Sequence, residues 1–248
     1  MKTRLDKLVF TQGKFSSRTR AIEVIENAGV KVDGIVVQKP GKKFDESCTI
    51  EIIKKEIPWV SRGAFKLLKA IDYWKIGIKN KNAIDIGAST GGFTEVLLSK
   101  DINKVYCIDV GHGQLNDKIR ENPKVINYEK THIKKLNSLK IKDKISLVVV
   151  DVSFISLINV IPHIADFIKE NCEIILLIKP QFEAGPENLN KHGLLKDKNL
   201  HFSLITKIKN CLELHQMEWN GYIESPIKGG DGNIEFLCYS KKNYRNKI

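Results

Sequence analysis

Ala83-Ile84-Asp85-Ile86-Gly87-Ala88-Ser89-Thr90-Gly91-Gly92-Phe93-Thr94 is the stretch on which the fold turns. Its first four residues read as a short buried strand, and the glycines place a strand-to-helix turn over Gly87–Gly92. Glycines at such a turn let the backbone approach a ligand closely, and the N-terminus of the following helix suits polar or anionic groups. Downstream, Lys104-Val105-Tyr106-Cys107-Ile108 reads as a second strand ending in Asp109, 24 residues after Asp85. An acid there is where a ribose diol is usually held, although a helix cap or turn residue has the same signature.

Outward from this pair the pattern repeats. Leu147-Val148-Val149-Val150 is strand-like and ends in Asp151, and Ile174–Ile178 ends in Lys179-Pro180. Such runs alternating with helical segments predict an α/β fold with a doubly wound, mostly parallel sheet, whose ligands sit beyond the carboxyl ends of the strands. Asp85, Asp109, Asp151 and Lys179 are all expected at that edge. Upstream, Ser61 to about Ile76 reads as a helix, with Phe65, Leu67, Leu68 and Ile71 apolar and Arg62, Lys66 and Lys69 between them. Pro58 disfavours helix at Ile57 and marks a linker over residues 57–60, between a front module of residues 1–56 and a large domain of residues 61–248.

In the front module, Leu5, Leu8 and Val9 mark a short helix that stops at Gly13. Ser16 or Ser17 can cap a second helix, with Ala21, Ile22, Ile25 and Ala28 apolar, ending at Gly29. Asp33-Gly34 between β-branched runs predicts a hairpin, Lys39-Pro40-Gly41 a turn, and Cys48–Ile53 a closing strand. This is a small α+β module, with Arg18 and Arg20 on the exposed face of its second helix.

Composition bounds the function. With 42% hydrophobic and 28% charged residues among 248, the chain has material for a core and is not a disordered polymer. No apolar run approaches the ~18 residues of a membrane helix. Met1-Lys2-Thr3-Arg4-Leu5-Asp6 lacks the apolar segment of a secretory signal, so a cytoplasmic location is expected. The net charge of +12 favours a polyanionic partner. Lys supplies 35 of the 41 basic residues, a bias that an AT-rich genome would also produce. Position is more telling: residues 1–20 hold six basic groups against Asp6 alone, and four more follow from Lys241. The five cysteines are scattered without a C-x-x-C, and no H-E-x-x-H occurs, so buried reduced thiols and no metal site are expected.

Arg4-Leu5-Asp6, Gly13, Ser17-Arg18, Ala21, Ile25, Gly29-Val30, Val32-Asp33-Gly34 and Lys39-Pro40 together resemble the RNA-binding domain first seen in ribosomal small-subunit protein four. The resemblance implies RNA contacts from Arg4, Lys7, Arg18 and Arg20, with Arg62 beyond the linker. The loop Gly87–Gly92 departs from the G-x-G-x-x-G of dinucleotide folds. The large domain resembles the FtsJ-like ribose methyltransferases, which are Rossmann-like and use S-adenosylmethionine (SAM). Nearly end to end, the chain resembles the TlyA (hemolysin A) family of ribosomal RNA 2′-O-methyltransferases. The matching motifs are Trp59-Val-Ser-Arg-Gly63-Ala-Phe-Lys66-Leu, Asp85 to Thr94, Asp109-Val-Gly-His-Gly-Gln-Leu115, Asp151-Val-Ser-Phe-Ile155, Ile178-Lys-Pro-Gln-Phe182-Glu-Ala, and Ser225 to Phe236. Ala64, where the family usually has Gly, and Glu95, where it often has Asp, are the visible departures.

That resemblance implies a catalytic set of Lys66, Asp151, Lys179 and Glu235. A ribose hydroxyl is a poor nucleophile until it loses its proton, and a lysine can take that proton only if desolvation or a neighbouring cation weakens its own hold on one. Lys179 is expected as the base, Lys66 as the group that positions the hydroxyl, and the carboxylates as holders of the lysines. SAM contacts are expected from Asp85, Gly87, Ala88, Ser89, Thr90, Gly91, Gly92 and Phe93, from Asp109 near the ribose and from Asp151 near the methionine end. Residues 129–132 stand where an adenine-side contact is expected. The implied substrate is cytidine ribose in ribosomal RNA, of the large subunit by analogy of length, with the small subunit as a second target. The implied partners are ribosomal subunits, and a monomer is expected.

Four other readings compete with this one. A pseudouridine synthase needs a catalytic Asp in an Arg-Leu-Asp context on a β-rich domain, but Arg4-Leu5-Asp6 already belongs to the front module. A base N-methyltransferase usually carries Asn/Asp-Pro-Pro-Tyr/Phe where this chain has Asp151-Val-Ser-Phe154. A hemolysin acting on membranes lacks a membrane-length or pore-like segment here. An RNA-binding assembly factor with an inactive methyltransferase fold remains the alternative, against which the complete Lys-Asp-Lys-Glu set argues.

Overall fold

A computed structural model describes residues 2–53 and 57–243. Residue 1, the end of the expected front module at residues 54–56 and the end of the basic tail at residues 244–248 lie outside the described residues. The chain divides into two compact units, Met1–Pro58 and Trp59–Ile248. Trp59 and Val60, read from sequence as linker, pack on the core of the second unit.

The first unit runs β1 (Lys2–Arg4), α1 (Leu5–Thr11), α2 (Arg18–Ala28), β2 (Val30–Val32), β3 (Ile35–Val37), β4 (Lys43–Asp45) and β5 (Ile50–Ile52). Ser17, not Ser16, caps α2, its hydroxyl accepting from the Arg20 N–H at 3.2 Å. The Asp33-Gly34 hairpin forms with both residues at positive φ, as the two-residue turn requires, and pairs Val32 with Ile35. The closing strand is shorter than the expected Cys48–Ile53 and pairs with β2. The β1–β4 ladder has no hydrophobic alternation and was not legible in the sequence. Leu5, Leu8, Val9, Ala21 and Ile25 meet Val30 and Val32 in a small core.

The second unit contains α3 (Ala64–Trp74), β6 (Asn82–Ile86), α4 (Gly92–Ser99), β7 (Lys104–Ile108), α5 (Asp117–Arg120), β8 (Val125–Tyr128), β9 (Leu147–Val150), α6 (Ile161–Phe167), β10 (Cys172–Ile178), α7 (Pro180–Glu183), α8 (Leu200–Leu214), β11 (Met217–Glu224) and β12 (Phe236–Lys242). These strands form one seven-stranded sheet in the order β11-β12-β10-β9-β6-β7-β8. Five strands are parallel, and β12 runs antiparallel between β10 and β11. The α/β, doubly wound, mostly parallel sheet read from the sequence is therefore present. Both faces are covered, which is why β9 is a continuous apolar run rather than an alternating one. Val148, Val150, Ile174 and Leu176 pack toward α6 and α8 on one face. Leu147, Val149, Ile175 and Leu177 pack toward α3 and α4 on the other.

The expected Ser61–Ile76 helix begins only at Ala64. Residues 61–63 form a turn in which the Ala64 N–H reaches the Ser61 carbonyl at 3.3 Å. Cys107, Cys172, Cys211 and Cys238 are buried, whereas Cys48 is only half-buried, a departure from the uniform burial expected. Among the described residues no helix is long and apolar enough to cross a membrane. Among them, too, no group of His, Cys, Asp and Glu is arranged to hold a metal.

Candidate active site

Strand register builds the site. Ile86 pairs with Ile108 on one side and with Val150 on the other, so Gly87, Asp109 and Asp151 emerge level from three adjacent strand ends. The chain's direction of winding reverses between β6 and β9, the place where an open sheet leaves a crevice. On the far side, Ile178 pairs antiparallel with Phe236, which brings Glu235 level with Lys179. Lys66 reaches the same point from the first turn of α3.

All four residues of the expected catalytic set meet. Lys66 Nζ lies 2.7 Å from Glu235 Oε2 and 3.9 Å from Asp151 Oδ2, and Lys179 Nζ lies 2.6 Å from Asp151 Oδ1. Glu235 and Lys66 are buried, so each charge depends on the other for compensation. Asp151 is shared by two cations. Lys66 has Glu235 as a second acceptor, while Lys179 turns to the Ser153 hydroxyl at 2.9 Å.

Beside this cluster lies a cavity of about 670 Å³, within the usual size of a ligand pocket. Gly87, Ser89, Asp109 and Asp151 line it, with Ile86, Ile108, Val110 and Ile133 as its apolar wall. Thr131 and His132 from the expected adenine-side stretch line it as well. Each Asp109 oxygen accepts one backbone N–H, from Ser89 at 2.8 Å and Gly111 at 2.7 Å. Lone pairs remain on both oxygens for a further donor. The Glu129 carboxylate, held low by the Gly113 N–H and then by Asn127 and His112, ties the loop after β7 to the end of β8.

The glycine turn owes its composition to close packing. A Cβ on Gly87, where φ is +84°, would stand 2.4 Å from the Asp151 carbonyl oxygen. One on Gly92 would stand 2.1 Å from Ser61 Oγ. These glycines thus let the strand ends and the start of α3 close together, and only Gly87 and Ser89 of the turn reach the cavity wall.

Other expected contacts lie apart from the cavity. Asp85 is fully buried, accepts from Thr94 Oγ1 at 2.6 Å and does not line the cavity. Ala88, Gly91, Gly92 and Phe93 are buried, and Thr90 is exposed away from its lining. In the first unit, Arg4 and Arg18 both bind the buried Asp6 carboxylate, at 3.0 and 2.8 Å, while each stays about half exposed. Burial raises the Asp6 carboxyl, but these hydrogen bonds outweigh it and hold the group below its ordinary value. Arg-Leu-Asp is thereby a latch between β1, α1 and α2. Lys7 and Arg62 are exposed, and Arg20 is half-buried.

Three residues near the site were missed. Phe154 is 92% exposed at positive φ, lies 5.2 Å from the Phe182 ring and lines the cavity. Ser153 bonds Lys179, and Glu183, buried, binds the Ser156 hydroxyl at 2.5 Å and the Leu157 N–H at 2.9 Å. The signal was their place directly after strand-end residues of two motifs.

The methyltransferase unit matches the model of the FtsJ-like methyltransferase family over residues 59–242, and residues 3–48 match that of the S4 domain. The chain is 34% identical to the 16S/23S rRNA (cytidine-2′-O)-methyltransferase TlyA of Mycobacterium tuberculosis, over 96% of this chain and 89% of the relative. It is 38% identical to the 23S rRNA (cytidine-2′-O)-methyltransferase TlyA of Campylobacter jejuni, over 92% of this chain and 95% of that one. A solved hemolysin-like protein of Streptococcus thermophilus superposes with a TM-score of 0.77 at 33% identity, covering 98% of this chain and 89% of that one. On its fold, its motifs and these likenesses, the chain belongs to the FtsJ-like methyltransferase family, in the TlyA group that joins this unit to an S4 domain.

Proposed function

We propose that this protein transfers a methyl group from SAM to the 2′-oxygen of a cytidine in ribosomal RNA of the large subunit, in the cytoplasm. The observation that carries this reading is the cluster of Lys66, Asp151, Lys179 and Glu235 at the edge of a ligand-sized cavity. The cavity residues fit SAM: Asp109 offers free lone pairs to a ribose diol, the apolar wall suits an adenine ring, and Asp151 suits a cationic end. When bound, SAM supplies an electrophilic methyl on a sulfonium. The rest of the chemistry falls to the protein. Lys179 accepts the proton of the 2′-hydroxyl, Lys66 orients that hydroxyl, and Asp151 and Glu235 keep both lysines in place. Positioning of this kind is worth several kcal/mol of barrier.

Phe154, which packs on the Phe182 ring that the Lys179 ammonium approaches, offers an exposed aromatic face on which a base turned out of its stack can rest. Arg4, Lys7, Arg18, Arg20 and Arg62 are the phosphate contacts in this reading. Asp85 supports the turn from below rather than touching the cofactor. The large-subunit target follows the 23S specificity in the name of a relative that this chain nearly spans.

The test is transfer of labelled methyl from SAM to purified unmethylated 50S and 30S subunits, with Lys179→Ala as control. Label on 50S alone, reduced at least about 100-fold in the variant, is the expected result. Label on both subunits would widen the target to that of the Mycobacterium tuberculosis relative. SAM binding without any transfer would favour an RNA-binding assembly factor, and permeabilised liposomes without SAM would favour a hemolysin.

A further inference from the structure

Lys179 has a base's task and an unusual set of neighbours. Its ammonium sits 2.6 Å from Asp151 Oδ1 and 2.9 Å from Ser153 Oγ, with the Phe182 ring centroid 5.9 Å away. Beyond Asp151, charge reaches it through Lys66 and Glu235, which pair with each other. A lysine nitrogen is tetrahedral, with three directions besides its own stem. Asp151 takes one and Ser153 a second.

Ser153 is itself held. It follows Asp151 by two residues at the end of β9 and lines the cavity. The next residue, Phe154, adopts φ +63°, a conformation that turns the chain sharply away. Ser156 then anchors the loop to Glu183.

We propose that Ser153 is a positioning residue for methyl transfer: with Asp151 it occupies two directions around Lys179 Nζ and leaves the third for the ribose hydroxyl. This rests on the reading of Lys179 as the base. In the neutral amine, both N–H bonds then donate to Asp151 and Ser153, so the lone pair faces the substrate. The 2′-hydroxyl proton passes to Nζ, the oxygen pair forms the bond to the methyl carbon, and the carbon–sulfur bond breaks with its electrons staying on sulfur. Without the Ser153 hydroxyl the amine is free to turn, and its lone pair spends most of its time pointing elsewhere.

Ser153→Ala and Ser153→Thr separate this role from a structural one. In cofactor-free protein, the pH dependence of Lys179 acetylation by acetic anhydride is followed by mass spectrometry of its peptide. The labelling midpoint is expected to move to lower pH in Ser153→Ala, because the ammonium loses an acceptor, and to return in Ser153→Thr. In turnover on ribosomal RNA, kcat is expected to fall roughly 10- to 100-fold in Ser153→Ala with KM for RNA and SAM nearly unchanged, and to recover in Ser153→Thr. An unchanged labelling midpoint in Ser153→Ala would overturn the proposal, as would a loss carried by KM or one that Thr fails to restore. If the wild type methylates no ribosomal RNA, the functional reading fails, and the labelling still decides whether Ser153 holds Lys179.

Discussion

At the scale of single residues, Asp85 shows how burial shapes this site. Removal from water pushes its carboxyl up to about 7, against the hydrogen bond from Thr94 and with help from the charges of Asp151 and Asp109. The folded protein therefore holds a proton there that the unfolded chain has already released, between the ordinary aspartate range and about pH 7. More protons on the native state mean that stability falls as pH rises through this window and levels off above it. Asp85→Asn cannot titrate, so its thermal stability is expected to lose this component of the slope. Melting curves of both proteins between about pH 4 and pH 8 measure it, and parallel slopes would contradict the burial argument. The Lys66–Glu235 pair shows the opposite solution to the same problem. There two buried charges compensate each other, so both stay near the site where positioned charge is wanted.

At the scale of elements, the segment after β9 and the helix after β10 are tied by one side chain. The Ser156 hydroxyl donates to Glu183 and accepts from the Ile158 N–H, capping the turn at Leu157–Asn159. Burial raises the Glu183 carboxyl, while the Leu157 N–H and the Ser156 hydroxyl pull it back. Glu183→Ala leaves two donors without an acceptor in a buried place and is expected to cost about 2–3 kcal/mol. Glu183→Gln, which keeps an acceptor, should cost less. Urea denaturation reads both, as a lower midpoint at constant slope. Because this tie links the loop carrying Ser153 and Phe154 to the helix that follows Lys179, methyl transfer should decline with it.

At the scale of the molecule, the charge of +12 frames the encounter with RNA. Each phosphate neutralised by a basic side chain releases counterions, so affinity falls linearly with salt on logarithmic axes. Arg4 and Arg18 spend part of their hydrogen-bonding capacity on Asp6, so Lys7, exposed and carrying no such internal duty in that latch, is the cleaner probe. Lys7→Ala is expected to reduce the slope of log affinity against log salt by about one, with little sequence dependence. Filter binding to ribosomal RNA over a salt series checks it, and an unchanged slope would remove Lys7 from the interface.

The winding of the sheet was written in local chemistry. Apolar runs of strand length ended in Asp85-Ile86-Gly87, Asp109, Asp151 and Lys179, and glycine allowed a turn where no other residue fits, so α/β order and the edge bearing the chemistry were both legible. The Asp33-Gly34 hairpin was legible for the same reason, since φ preference is a property of the residue itself. What lay beyond reading was whatever depends on partners distant in the chain. Ile178 and Phe236, 58 positions apart in the chain, close into a single register, and this alone sets Glu235 level with Lys179. That Ser153 holds Lys179, that Asp85 turns from the cavity into the core, and that Arg4 and Arg18 grip Asp6 follow from side-chain directions set by packing. Local preference acts through neighbouring residues and leaves a mark in the sequence, whereas burial and pairing act across the fold and exist only once the chain has closed.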